Sequence, residues 1–403
     1  MRYDINLGNH HAASYAAAHS KRESNMKKRI AVLGAGLVGK TIALDLARDF
    51  QVTSADIRES AFAELQSAGV ATHQLDFSDA DALTSFVRDY DLIVGAVPGF
   101  LGFGVARTVI AAGKDMVDIS FFPEDPFLLD EEARRQNVTI VTDCGVAPGM
   151  GNIILGYHHR RMKVQHYECL VGGLPVARTW PWEYKAVFSP IDVIEEYTRP
   201  ARYVQNGALV VKEALSDPEL IDFDGIGTLE SWNSDGLRTL IKTMPDIPNM
   251  IEKTLRYPGT IEYLRVLRES GFFSTEPVDV NGTPVRPIDV TARLLFPQWQ
   301  LKPGEREFTV MRIRVSGEED GKPTTWSYDL LDHTDTATGT LSMARTTGYT
   351  CTAAVRLVAE GKFSRKGICP PEYLGEDEEH YRSIIDHLAS RGVRYDRRQS
   401  SEL

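Results

Sequence analysis

Apolar residues along this chain keep one rhythm in the first third and another beyond it. Short aliphatic and β-branched runs at Arg29 to Leu33, Val52 to Ala55, Val70 to Leu75, Asp91 to Ala96, Met116 to Ile119 and Val138 to Val141 predict six strands. The first is apolar on both faces, as a strand inside a parallel sheet must be. Lys40 to Arg48, Asp79 to Val87, Gly104 to Ala112 and Pro126 to Gln136 read as helices between them. Strands alternating with helices require right-handed crossovers, so the pattern predicts a doubly wound parallel sheet in about the order 3-2-1-4-5-6.

The rhythm changes after Asp143 to Asn152. Tyr167 to Pro175 reads as a strand whose Gly-Gly-Leu-Pro end faces a cleft. Phe308 to Val315 and Thr324 to Leu331 alternate on either side of Glu318-Glu319-Asp320-Gly321, and Asp-Gly at a turn predicts a hairpin. The fold class expected is α/β: a Rossmann sheet followed by a second α+β domain on a mostly antiparallel sheet. Ser342 to Glu360 predicts a long helix that returns to the first domain, stopped by Gly361 and then Pro370-Pro371. The expected organisation is a flexible tail over 1–26, a dinucleotide domain over 27–149 and a substrate-binding and dimerisation domain over 150–341. A returning helical segment over 342–390 and a tail over 391–403 follow.

Composition narrows the function classes. A chain of 403 residues, 42% hydrophobic and 25% charged, forms two or three globular domains with an ample core. With 45 Lys+Arg against 56 Asp+Glu the net charge is -11, which gives no electrostatic attraction to nucleic acid or anionic lipid. The 4 Cys are scattered without CxxC spacing, which argues against a disulfide scaffold or a zinc site and predicts a cytoplasmic protein. No apolar run approaches the ~18–20 residues needed to span a bilayer. His10, His11 and His19 lie in a polar stretch and are read as solvated, not as metal ligands.

Candidate chemistry begins where the first strand ends. Gly34-Ala35-Gly36-Leu37-Val38-Gly39 is a GxGxxG between a strand and a helix, with Asp56 about twenty residues on. Gly34 permits the turn, Gly36 lets backbone approach a pyrophosphate, and Gly39 allows close helix packing. The helix start, including Leu37 and Val38, offers unpaired N–H groups to phosphate. Asp56 can accept from ribose hydroxyls and repels a 2′-phosphate, which favours NAD; Arg58 nearby could accommodate that phosphate, which leaves NADP as the lesser option. Asp76 and Phe77 would border the adenine, and Ala96, Val97 and Pro98 the nicotinamide ribose. Ligands bind outside the carboxyl ends of such strands, which also brings Asp118 and Asp143 forward.

The chain resembles the saccharopine dehydrogenase superfamily, and within it the lysine 6-dehydrogenase-like branch. The resemblance runs from about Lys27 to Gly375 and rests on particular strings. These are the GAGLVG turn with Asp56, Val117 to Phe122, Asp143 to Gly149, Gly172 to Pro175 and Phe188 to Pro190. Ser234 to Leu240, Glu252 to Gly259, Met343 to Gly348 and Pro370 to Glu372 complete the set. Thr260 departs from it, standing where many relatives carry His. The resemblance implies oxidation of an amine carbon of lysine or a related diamino acid, with NAD taking a hydride and water releasing ammonia or an amine. It also implies a homodimer.

Such chemistry needs a base, because the amine must be neutral when hydride leaves, and a clamp for the α-carboxylate. Asp118 or Asp143 is expected as the base and Arg256, with Tyr257 beside it, as the clamp. Gly149, Tyr184, Ser189, Asn233 and Asp235 are further candidates for the substrate pocket. His158 and His159 adjoin and are read as structural. No metal-ligand cluster is evident, and hydride transfer needs none. Two other readings stay open: reductive joining of an aldehyde and an amine, as in saccharopine or carboxyspermidine-type synthesis, and a non-catalytic NAD-binding sensor.

Overall fold

The computed structural model describes residues 27–401. The expected amino-terminal tail, with His10, His11 and His19, lies outside the described residues. The first sheet contains β1 (Arg29–Leu33), β2 (Gln51–Asp56), β3 (Ala71–Gln74), β4 (Leu92–Gly95), β5 (Met116–Asp118) and β6 (Thr139–Val141). They lie in the order β6-β5-β4-β1-β2-β3, every pair parallel. The order and the alternation with helices are those predicted from the sequence. Ile30 to Leu33 and all of β4 are buried, which is why neither strand shows a polar face.

A second, nine-stranded sheet contains β7 (Lys163–Pro175), β8 (Ala201–Gln205), β9 (Ala208–Lys212), β10 (Glu219–Phe223), β11 (Gly227–Asn233) and β12 (Asn249–Arg256). A small separate hairpin, β13 (Val278–Val280) and β14 (Thr283–Val285), intervenes. The sheet is completed by β15 (Glu307–Glu319), β16 (Lys322–His333) and an edge strand from the carboxyl end. Only the β12–β7 pair is parallel; the other pairs are antiparallel. Asp320 and Gly321 both have positive φ, 52° and 75°, which matches the right-handed twist of the β15–β16 hairpin. Arg312 and Asp329 face each other across it and pair at 2.7 Å.

The carboxyl-terminal part contributes to both sheets. β17 (Gly367–Cys369) adds a seventh strand to the first sheet, parallel to β6. β18 (Asp396–Ser400) is the edge strand that pairs with β16. The tail expected over 391–403 therefore contains a strand; the backbone hydrogen bonds of a sheet edge do not need apolar side chains.

Helix α1 (Leu37–Leu46) follows β1, α2 (Gly99–Ala111) follows β4, and α3 (Met150–His159) leads into β7. α4 (Pro190–Thr198), α5 (Ser342–Ala359) and α6 (Glu378–Ser390) come later. α5 lies against α1, and its Gly348 leaves only van der Waals room for Thr41 and Ile42. Ile30, Val32 and Ile42 share a core with Val171, Met311 and Val355, so first sheet, second sheet and α5 bury one another. Trp232, Trp299 and Tyr197 centre another core under α4.

Asp45 fixes α1 to the carboxyl-terminal helices. Its side chain is 1% exposed and accepts from Thr352 Oγ1 at 2.7 Å, Arg391 Nε at 2.8 Å and Arg356 Nη1 at 3.1 Å. Burial opposes its charge, but these donors outweigh burial and hold its pKa below the ordinary value. Asp45→Ala should therefore cost about 3 kcal/mol, because two guanidinium groups lose a buried partner. Thermal or denaturant unfolding checks this, with Asp49→Ala, at a more exposed position, expected to cost under about 1 kcal/mol.

Candidate active site

A cavity of about 740 Å³ opens between the strand ends of the first sheet and the second sheet. One half is built by the turn after β1. A side chain at Gly34 would meet the Ala96 carbonyl and one at Gly39 the Gly34 carbonyl, so both glycines serve close packing. Gly36 faces open space instead, so its missing Cβ gives access from the cavity. The helical ladder of α1 starts with Lys40 N–H donating to the Gly36 carbonyl, which leaves the preceding N–H groups without helical acceptors.

Asp56 ends β2, is buried, and accepts from the backbone N–H of Ala35 and of Arg58, each at 2.9 Å. The Arg58 Nε adds a contact at 3.2 Å. Burial works against the charge of Asp56, but the hydrogen bonds from Arg58 and Ala35 overcome it and depress its pKa. All twelve coenzyme candidates line the cavity: Gly34, Gly36, Leu37, Val38, Gly39, Asp56, Arg58, Asp76, Phe77, Ala96, Val97 and Pro98.

The other half is set by β12. Glu252, Thr254 and Arg256 alternate along it and all line the cavity. Side chains two apart share a face of a strand, so one register places all three. Arg256 is buried, donates to Glu196 Oε2 at 2.8 Å and to the Leu255 carbonyl, and stacks over Tyr184 at 4.3 Å. Arg199, from the end of α4, also lines the cavity; it pairs with Glu195 at 3.3 Å, and its buried Nη1 has no partner.

The expected substrate residues divide. Ser189, Asp235 and Arg256 line the wall, but Asp235 is held by Arg202 through two contacts of 2.8 Å. Tyr184 lies behind Arg256 and off the wall. Asn233 turns away to Ser216 and Asp217, and Tyr257 donates to the Pro175 carbonyl. Gly149 is off the wall as well, its φ of 139° bringing it against Gly145. Thr260 donates to the Trp182 carbonyl, His158 meets Tyr328 and His159 meets Asp246, all away from the cavity.

Both expected bases are compromised. Asp118 is fully buried beneath the wall and bonded to Ser120 Oγ at 2.8 Å; burial holds its carboxyl protonated well above the usual range. Asp143 reaches the cavity but is paired with Arg238 at 2.8 Å, with both side chains almost fully buried. Arg238 also donates to the Phe122 carbonyl at 2.8 Å. Both of these contacts commit Asp143 and Arg238 to each other and to the protein rather than to a ligand.

Sequence reasoning missed Glu252, Asp192 and Arg199. Asp192, on α4, accepts from Gly99 N–H at 3.1 Å, which joins the amino end of α2 to the second half; burial raises its pKa to about 6. Glu252 is 4% exposed, and its carboxyl group makes no hydrogen bond or ion pair among the described residues. Burial, then the neighbouring Asp235, Glu196 and Asp143, pushes its carboxyl up to about 8. Strand alternation back from Arg256 was the signal that could have found it. Among the described residues, no cluster of His, Cys, Asp or Glu could hold a metal, and no helix is long and apolar enough to cross a membrane.

Comparison with known proteins agrees along most of the chain. Residues 30–141 match the family model "Saccharopine dehydrogenase NADP binding domain", and residues 145–393 match "Saccharopine dehydrogenase C-terminal domain". The chain is 23% identical over 425 residues to saccharopine dehydrogenase [NADP(+), L-glutamate-forming] of Pyricularia oryzae, covering 85% of this chain and 93% of that protein. It is 28% identical over 232 residues to the alpha-aminoadipic semialdehyde synthase of Arabidopsis thaliana, covering 53% of this chain but 21% of that longer protein. An apo histidine-tagged saccharopine dehydrogenase (L-Glu forming) from Saccharomyces cerevisiae has the same fold. Its TM-score is 0.73 at 21% identity, over 93% of this chain and 100% of that one.

The raised pKa of Glu252 sets the sign of a stability effect. A folded value near 8, against 4.5 for an ordinary Glu, means that the burial cost is absent at acid pH and grows as pH rises to about 8. Wild type should lose stability relative to Glu252→Gln between about pH 5 and 8, by on the order of a few kcal/mol. Denaturant unfolding of both proteins across that range checks this; a constant difference contradicts it.

Proposed function

Because this chain belongs to the saccharopine dehydrogenase family of oxidoreductases acting on CH–NH donors, we propose that it oxidises the amine carbon of a cationic amino acid. Lysine or a related diamino acid is the substrate in this reading, and NAD is the oxidant. The observation that carries it is the charge of the substrate half of the cavity. Asp143, Asp192, Glu195, Glu196, Asp235 and Glu252 line it, against Arg199 and Arg256. Glu195 and Glu196 each pair with one of those arginines, and Asp143 and Asp235 pair with arginines outside the wall. Asp192 and Glu252 keep no ionic partner among the described residues, and Asp192, raised only to about 6, is ionised at neutral pH, so the wall keeps a surplus negative charge that suits an ammonium group better than a tricarboxylate.

This chain's residues divide the work. Gly36 and the amino end of α1 receive a pyrophosphate, and Asp56 a ribose hydroxyl. The bound dinucleotide supplies the hydride acceptor. Arg199, with its unpartnered Nη1, is better placed than Arg256 to hold the substrate α-carboxylate: each pairs with a glutamate, but Arg256 commits both terminal nitrogens, to Glu196, Tyr197 and the Leu255 carbonyl. Val97, Pro98 and Phe121 give the middle of the cavity apolar walls that exclude water. The second reading, reductive joining of an aldehyde and an amine, draws on the two wall arginines, which could receive two carboxylates.

Purified protein incubated with NAD or NADP and lysine, ornithine or saccharopine should accumulate reduced coenzyme, read by absorbance, with a diamino acid. Turnover on saccharopine alone would select the second reading. Asp56→Ala should raise the KM for NAD about tenfold or more, the loss of a charge-assisted hydrogen bond, and that for NADP much less. Equal losses would overturn the preference for NAD. Arg199→Ala should raise the KM for the amino acid about tenfold or more without changing coenzyme affinity, as steady-state kinetics and coenzyme titration would show.

A further inference from the structure

We infer that Glu252 is the group that takes the proton from the substrate's ammonium nitrogen before the adjoining carbon is oxidised. The inference rests on the amine-dehydrogenase reading above and gives that reaction a base other than Asp118 or Asp143.

The geometry is that of a carboxyl kept available. Glu252 lies on the cavity face of β12, two residues from Thr254 and four from Arg256, all on the same wall. Its carboxyl group makes no hydrogen bond or ion pair among the described residues, unlike those of Asp143, Asp235 and Glu196, which are each committed to an arginine. The charged groups facing it come from several elements. Asp235 and Arg238 lie in the loop after β11, Glu196 on α4, and Asp143 beyond β6; burial and the three carboxylates oppose its charge, and Arg238 favours it. A general base works best with a pKa close to the working pH, and about 8 meets that condition where an exposed carboxylate would not.

Gly236 keeps the space beside it open. A side chain at Gly236 would collide with the Glu252 carboxyl group. A larger residue there would have to push the Glu252 carboxyl out of its position, so glycine lets the carboxyl stay where it is.

The step balances simply. One N–H bond of the substrate ammonium breaks, its electron pair stays on nitrogen, and the proton passes to a Glu252 oxygen. Substrate goes from cation to neutral amine, and Glu252 from carboxylate to carboxylic acid. The nitrogen lone pair thus freed can form the C=N bond as the carbon gives up hydride to the oxidised nicotinamide dinucleotide. Solvent then recovers the proton from Glu252.

The test is the pH profile of amine oxidation by wild type, Glu252→Gln, Glu252→Asp and Gly236→Ala. For wild type, kcat/KM should rise with pH and level off above about 8. Glu252→Gln, of equal size and neutral, should lower kcat/KM about 100-fold or more and abolish that rise, while coenzyme affinity stays near wild type and the melting temperature does not fall below it. Glu252→Asp should restore part of the rate and a rise at a shifted pH, and Gly236→Ala, which displaces the carboxyl, should lower kcat with coenzyme affinity retained. If wild type turns over and Glu252→Gln keeps both rate and profile, the role of Glu252 is overturned and the dehydrogenase reading stands. If wild type reduces neither coenzyme with any amine, that reading falls and this role with it.

Discussion

The ion pair between Asp143 and Arg238 joins the two halves of the cavity. Asp143 stands just beyond β6 of the first sheet, and Arg238 belongs to the loop after β11 of the second. Both side chains are almost completely removed from water, so neither charge could be accommodated without the other. Both backbones also take the left-handed conformation, with φ of 54° and 43°, which non-glycine residues adopt only when their surroundings hold them there. Arg238 further donates to the Phe122 carbonyl and lies over the Phe121 ring at 4.8 Å. One guanidinium thus orders the loop after β5, the end of β6 and the floor of the substrate half.

Around that junction the cavity has two characters. Its coenzyme half is made of backbone: a turn, a helix end and the apolar residues after β4. Its substrate half is made of side chains carried by β12 and α4. The first follows from a local glycine string after β1. The second depends on which residues a distant strand turns toward the gap, so its chemistry can change without altering the sheet.

That division explains what could be read in the sequence. The strand order, the β15–β16 hairpin and the gathering of the twelve coenzyme candidates on one cavity wall follow from nearby residues, through periodicity, turn chemistry and the glycine spacing. Asp118 shows the limit: its place at a strand end was legible, but not the burial under Gly95 that keeps it from the cavity. Asn233 and Tyr257 likewise carry polar groups that neighbours far along the chain consume. Glu252 was legible in principle, because alternation from Arg256 puts it on the same face. A lone Glu within a β-rich stretch carries no mark of its raised pKa, which comes first from burial and then from the charges of Asp235, Glu196 and Asp143, elements apart in sequence.

The seventh strand of the first sheet has a consequence for biosynthesis. β17 lies beside β6 but follows it by more than 200 residues, and the whole second sheet except β18 is made in between. While the ribosome is still producing that intervening stretch, the rim of the nucleotide-binding layer stays unsealed, with its amides and carbonyls open to wrong partners. Closing it requires contacts of very long sequence separation, which form slowly. Until β17 has been made, the β6 edge of the first sheet has no partner strand.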